Sequence, residues 1–177
     1  MIINCAAVTD TDLCEKEPEL AYRVNALGAR NLSIVARKTG AKMVQISTDD
    51  VFDGIRHTPY TEFDDTNPKT VYGRSKRAGE NYVKEFTHKH FILRSNWVYG
   101  NGNNFVNRVL HAADTKDELL IASDQFGSPT SAKDLAKMIM YLISTNEYGT
   151  YHVTCTGVCS RYERRAGLQQ LPRRLAG

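Results

Sequence analysis

Tyr72 and Lys76 stand four residues apart in Val71-Tyr72-Gly73-Arg74-Ser75-Lys76. On a helix that spacing puts both side chains on one face. A phenol alone titrates near 10, too high for easy proton traffic at neutral pH. An ammonium beside it favours the phenolate and lowers that value. The pair can therefore act as a tuned proton donor next to a carbonyl. A lone Tyr-x-x-x-Lys is common, and an exposed amphipathic helix accounts for most such matches. Ser47-Thr48-Asp49 narrows the choice. Residues Lys42 to Ser47 (KMVQIS) read as a strand, so Thr48 and Asp49 fall at its carboxyl end, where open α/β sheets bind their ligands. A Thr48 hydroxyl there can hydrogen-bond the same oxygen that Tyr72 protonates. The same residue types also cap and turn chains. Trp97, the single tryptophan, follows another strand, Phe91 to Arg94. Its indole offers a face on which a sugar or base ring can stack, although core packing uses tryptophan as readily.

The elements that must position these groups alternate in type. Ile2 to Ala7 reads as a buried strand, and Thr9-Asp10-Thr11-Asp12 as loop. Pro18 suits the first turn of a helix. Leu20, Val24, Leu27, Ile34 and Val35 mark one face of that helix, and Gly40 its end. Residues 49–69, with Gly54, Pro59 and Pro68, form a long connection of the kind that usually carries function. Val71 to about Phe86 is predicted helical, as is Asn103 to Ala113. Leu119 to Ala122 reads as a short strand. Ser131 with Asp134 resembles a capping box, ahead of an apolar face made by Leu135, Met138, Ile139, Leu142 and Ile143. Thr150 to Thr154 reads as a last strand. Strands alternating with helices imply an α/β fold: a parallel, doubly wound, Rossmann-like sheet with right-handed crossovers. Neither internal repeats nor low-complexity linkers interrupt it.

Composition limits what such a fold can do. The 177 residues, 41% apolar and 24% charged, suit one domain with a real core. No apolar run approaches the roughly 18 residues of a membrane span. The first seven residues are apolar but short and lack a basic flank, so a strand fits them better than a signal peptide. Cys5, Cys14, Cys155 and Cys159 form no C-x-x-C pair and no His-rich cluster joins them. Neither a metal site nor a disulfide framework is indicated, and reduced thiols in a cytoplasmic protein fit better. The net charge of +3 comes from the end of the chain. Residues 161–177 hold five arginines against Glu163, a charge of +4, which leaves −1 for residues 1–160. A near-neutral body argues against a nucleic-acid partner.

The segments INCAAVTDTD, VNALGARNL, ISTDDVFDG, PYTE, VYGRSKRAGE, LRSNWVYG, NNFV and DQFGSPTSAKDLA run in order from residue 2 to about residue 160. In that order and spacing they resemble the dTDP-4-dehydrorhamnose reductase family of extended short-chain dehydrogenases. The resemblance implies an NAD(P)-binding reductase domain over residues 1–160 and reduction of dTDP-4-dehydro-L-rhamnose to dTDP-L-rhamnose with NADPH (or NADH). It implies Tyr72 as the acid at the C4 oxygen and Lys76 as the holder of the nicotinamide ribose. Thr48 and Asp49 would touch the nucleotide-sugar substrate, as would Trp97. Ala6, Ala7 and Thr9 would line the cofactor. Some family members dimerise and bind Mg2+ at the dimer contact, so a homodimer is expected; no metal ligand maps onto this sequence. Relatives include the regulatory beta subunit of methionine adenosyltransferase, so a non-catalytic binding subunit is the alternative from another class. A nucleotide-sugar epimerase is the alternative within this one; the STD and DQFGSPT segments favour the reductase.

Three departures accompany the resemblance. Asp50 stands where the family usually has Tyr, and its carboxylate would repel a nucleotide diphosphate. No Gly-rich phosphate-binding turn precedes the first strand, which resembles the family's fourth. After Cys159-Ser160 the match gives way to a basic tail, 161–177, expected to be disordered. A truncated form is the expectation, one that binds NADPH poorly and gives no measurable reduction alone.

Overall fold

Four parallel strands carry the fold of the computed structural model, which describes residues 1–102, 104–115 and 119–163. They are β1 (Ile2–Asn4), β2 (Met43–Thr48), β3 (His90–Ser95) and β7 (Gly149–His152), hydrogen-bonded in the order β1-β2-β3-β7. Ile2 pairs with Met43, Met43 with His90, and Phe91 with Gly149, all in parallel register. Antiparallel hairpins are absent from this sheet, as expected of the βαβ pattern.

The chain packs as two units. The first comprises Met1–Ser95 and Lys137–Val153; the second comprises Asn96–Ala136 and the described residues from Thr154.

In the first unit β1 is shorter than the apolar run Ile2 to Ala7 implies. Beyond Asn4 the chain turns, with the Asn4 Oδ1 accepting from the Ala6 N–H at 3.1 Å. Thr9 to Asp12 is not simply loop. Asp10 caps α1 (Thr11–Lys16), its Oδ1 accepting the Leu13 N–H at 2.9 Å, which satisfies one orphan donor of the first turn. Pro18 opens α2 (Pro18–Ala21). A π-helical turn, Tyr22–Leu27, leads into α3 (Gly28–Thr39), which ends at Gly40. Helix α4 (Val71–Phe86) starts at a Thr70 cap whose Oγ1 accepts from the Gly73 N–H at 2.9 Å.

Alternation along β2 and β3 sends every second side chain to the α3–α4 side. There Met43 and Ile92 are fully buried against Ala29, Ala36 and Val83. Val44, Phe91 and Leu93, on the opposite face, are fully buried as well. At the edge strand β1, Ile3 stays 41% exposed.

In the second unit β4 (Val98–Tyr99) pairs with β6 (Thr130–Ser131), and β5 (Phe126–Gly127) with β8 (Cys159–Ser160). Helix α5 runs Phe105–Thr115; of the helix expected from Asn103, that first residue lies outside the described ones. Leu119 to Ala122 forms no strand. With no neighbour to complete a ladder, Leu119 and Ile121 line a hollow beside Phe105, Val109 and Ala112 of α5 instead. Helix α6 (Ala132–Ile143) starts in this unit, capped by the Ser131 Oγ at 3.4 Å from the Asp134 nitrogen. Its Leu135, Ile139 and Leu142 are buried, whereas Met138, expected on the same face, is exposed. Arg161–Glu163 make a helical turn in which Ser160 and Glu163 cap each other. The rest of the expected tail lies outside the described residues.

Candidate active site

The carboxyl end of β2 and the first turns of α4 meet closely. Two glycines permit it. A Cβ at Gly73 would stand closer to the Asp50 carbonyl, and one at Gly79 closer to the Asn25 carbonyl, than the 3.0 Å that real Cβ atoms keep. Gly73 thus lets α4 approach the turn that follows β2, and Gly79 lets it approach the π-helical turn Tyr22–Leu27, at distances a side chain would not allow.

That approach brings Tyr72, Thr48, Asp49 and Lys76 together, as their spacing predicts. The Thr48 hydroxyl donates to Asp49 Oδ1 at 3.1 Å and accepts from the Asp50 N–H at 3.2 Å. It also bonds the Tyr72 phenol. Burial pushes the Tyr72 pKa well above its ordinary value; the Thr48 bond opposes this and the Asp50 and Asp49 charges add to it. The expected lowering by Lys76 is not what governs the phenol here. Tyr72 is held protonated, the state an acid needs.

Lys76 is 4% exposed and donates to the Ile46 carbonyl at 2.7 Å. Burial brings its pKa down to about 8, against the upward pull of Glu80 and Cys5. An ammonium has three donors, so two remain for a ligand's hydroxyls. Ser95, the register partner of Thr48, has a buried Oγ with no hydrogen-bond partner. A buried hydroxyl of this kind calls for a bonding group from elsewhere. The donor set therefore fits a ribose and an amide of a nicotinamide nucleotide.

Ala6, Ala7 and Thr9 follow β1, with Ala6 and Thr9 exposed. What holds this segment is Asn25, which sequence reasoning missed. Its Oδ1 accepts from the Val8 N–H at 2.8 Å; its Nδ2 donates to the Val8 carbonyl at 3.0 Å and to Ser75 Oγ at 2.9 Å. The signal was present: a polar residue in the apolar helical stretch VNALGA. It sits in the π-helical turn, a distortion frequent at functional sites. Asn25→Ala leaves the Val8 N–H without its acceptor, while Ser75 keeps its bond to the Tyr72 carbonyl, and is expected to cost about 1–3 kcal/mol. Urea unfolding checks this, and an unchanged midpoint would contradict it.

The long connection 49–69 is anchored in the first unit. Phe52 stacks on Tyr60 with centroids 4.4 Å apart and meets His152 edge-on. The Arg94 guanidinium lies 5.1 Å from the Phe52 centroid, and Glu62 Oε1 accepts the His152 N–H at 2.7 Å.

Trp97 belongs to the second unit, and one face of its indole is taken by a cation. The Arg161 guanidinium lies 4.5 Å from its ring centroid, and Arg161 Nε donates to Gln125 Oε1 at 2.5 Å. The Trp97 φ is +43°, a costly conformation for a bulky side chain. Among the described residues no group of three or more His, Cys, Asp or Glu side chains converges as a metal site, and no helix is long and apolar enough to cross a membrane.

The parallel α/β sheet places the chain in the Rossmann-type class of folds, with a hydroxyl, a phenol and an ammonium at the carboxyl edge, where such sheets bind their ligands. Residues 1–167 match the RmlD substrate binding domain model, and the chain belongs to that family. It is 47% identical over 164 residues to the spore coat polysaccharide biosynthesis protein SpsK of Bacillus subtilis, covering 92% of this chain and 58% of that protein. It is 39% identical to the dTDP-4-dehydrorhamnose reductase of Escherichia coli, covering 94% and 58%. Among solved structures, the dTDP-4-dehydrorhamnose reductase of Bacillus anthracis in complex with NADP superposes with a TM-score of 0.91 at 48% identity, covering 94% of this chain and 60% of that one. The chain thus spans somewhat over half the length of these relatives.

Proposed function

We propose that this chain carries the carbonyl-reducing segment of a nicotinamide-dependent reductase acting on dTDP-4-dehydro-L-rhamnose. The observation that carries this reading is the buried Tyr72–Thr48 bond with Lys76 one helical turn away. The names of the E. coli and B. anthracis relatives support the substrate, and the NADP in the latter supports NADPH (or NADH). The C4 oxygen of the sugar would enter between Thr48 and Tyr72. Tyr72 gives it the proton, and Thr48 holds it once its hydroxyl turns from Asp49 Oδ1 to the entering oxygen. Lys76 would hold the ribose with its two remaining donors. The bound nicotinamide supplies the hydride to C4. Asp49 lies within reach of the same pocket through Thr48.

Thermal unfolding with and without NADPH tests the reading, since a ligand that binds only the folded state raises the midpoint. Millimolar NADPH should raise it, and Lys76→Met should abolish the rise. In any assay that detects turnover of the dTDP-sugar, Tyr72→Phe should reduce it by about 100-fold or more. A midpoint that neither NADPH, NADH nor the dTDP-sugar moves would sink the proposal.

One observation favours a second reading, a non-catalytic binding subunit. Arg161 takes one face of the indole expected to meet the substrate. A stable partner recovered without any turnover would support that reading.

A further inference from the structure

Three side chains of α4, each four residues from the next, meet three consecutive residues of β2. Tyr72 bonds Thr48, Lys76 bonds the Ile46 carbonyl, and Glu80 takes the Ser47 hydroxyl. The third contact has no part in the chemistry proposed above, yet it is the most heavily built. Glu80 is 0% exposed. Its Oε1 accepts from Ser47 Oγ at 2.6 Å and Arg94 Nε at 3.0 Å; its Oε2 accepts from Arg94 Nη2 at 2.8 Å and Arg77 Nη1 at 3.3 Å. Burying a carboxylate is costly, and an apolar residue of similar size would often be at least as stable. What the carboxylate adds is direction. A guanidinium fork on a carboxylate fixes the plane of both groups, whereas apolar contact is non-directional.

Gly73 and Gly79 let α4 sit close to the turn after β2 and to the π-helical turn, but neither contact bonds the helix to a strand. The Glu80 bonds do, because they join α4 to β2 through Ser47 and to β3 through Arg94.

We propose that Glu80 is a positioning residue: gripped by Arg94 and Ser47, it fixes the register of α4 along β2 that sets Tyr72 against Thr48 and Lys76 against Ile46. The proposal rests on the reading of Tyr72 and Lys76 as the reactive pair, but its test uses neither cofactor nor substrate.

Lys76 reports the register. It is 4% exposed where it bonds the Ile46 carbonyl, and the charges acting on it are Glu80 on its own helix and Cys5 just past β1. The full chain is labelled with 13C at lysine Cε, the Lys76 signal is assigned with Lys76→Met, and its titration is followed by NMR beside thermal unfolding. Wild type should titrate at about 8. Glu80→Leu with Arg94→Met removes the grip but keeps apolar volume, and should retain a cooperative melt. In that double variant the Lys76 titration should rise toward the ~10.4 of a solvated lysine as the Ile46 bond is lost. Ser47→Ala, which leaves every charge in place, should move it part of the way. Glu80→Gln, which keeps the acceptor shared by Ser47 and Arg94 Nε but sets an NH2 against Arg94 Nη2, should show less of a rise than the double variant. Loss of the Glu80 charge alone would push Lys76 downward. A Lys76 titration that stays in place or falls in both the double variant and Ser47→Ala overturns the proposal, whatever happens to the melting midpoint. If NADPH fails to bind but Lys76 rises as stated, only the proposed function falls.

Discussion

Replacing Arg94 with Ala is expected to destabilise the first unit by about 3–5 kcal/mol. That is a large share of the roughly 5–15 kcal/mol by which a domain is stable. Arg94 is 3% exposed and supplies two of the four bonds to a fully buried carboxylate. Its removal strands the Glu80 charge and also takes the cation from the Phe52 ring that anchors the long connection. The dependence on pH should change sign. In the intact chain burial works against the Glu80 charge, but Arg94, Ser47 and Arg77 outweigh it, so the folded pKa is lowered. Its contribution is therefore present above the ordinary carboxylate value, about 4.3, and lost as pH falls through the lower folded value. Without Arg94 the burial effect dominates and the folded pKa rises. The variant should then be more stable in mild acid than at neutral pH. Urea unfolding at pH 5 and pH 7 decides it. Equal losses at both values would show that the stranded charge is not the cause.

Gly73→Ala should cost about 3 kcal/mol, the upper part of the range for overpacking. The added Cβ meets the Asp50 backbone carbonyl rather than the end of a flexible side chain. Neither partner can give way without moving the turn Asp49–Val51 or the first turn of α4. Since Gly73 adjoins Tyr72, the Tyr72–Thr48 bond should be lost too. With that bond gone nothing offsets burial and the Asp50 and Asp49 charges, so the phenol titration, read by ultraviolet difference absorbance, should move further up. A stable Gly73→Ala chain with an unmoved phenol would mean that the close approach is not needed.

Periodicity made α4 legible, because its apolar face and its Thr70 cap both lie in the local sequence. The strands β2 and β3 were legible for a similar reason: short apolar runs bounded by turns. The segment Leu119 to Ala122 has the same local character and forms no strand, because a strand also needs a neighbour, and pairing is not written in four residues. Within the site, the i, i+4 spacing of Tyr72 and Lys76 and the position of Thr48 at a strand end led directly to their meeting. Arg94 was silent, and Asn25 showed only as a polar residue in an apolar stretch. A buried polar residue looks like a surface one until its partners are known, and theirs come from other elements. Glu80 did carry a hint, since it extends the Tyr72–Lys76 spacing by four residues along one helix face. The cover that Arg161 places over Trp97 had no local signal, since it depends on β8 pairing with β5.

The wholly parallel order β1-β2-β3-β7 also governs how the chain folds. Every ladder joins residues more than about forty positions apart, so each closes a long loop before its contacts form. No hairpin can nucleate this sheet. Refolding should be slow for the size of the chain, and helices α3 and α4 should gain structure before the strands register. Until then the strand edges that β2 and β3 later share stay open to neighbouring chains, so yield on dilution from denaturant should fall as protein concentration rises.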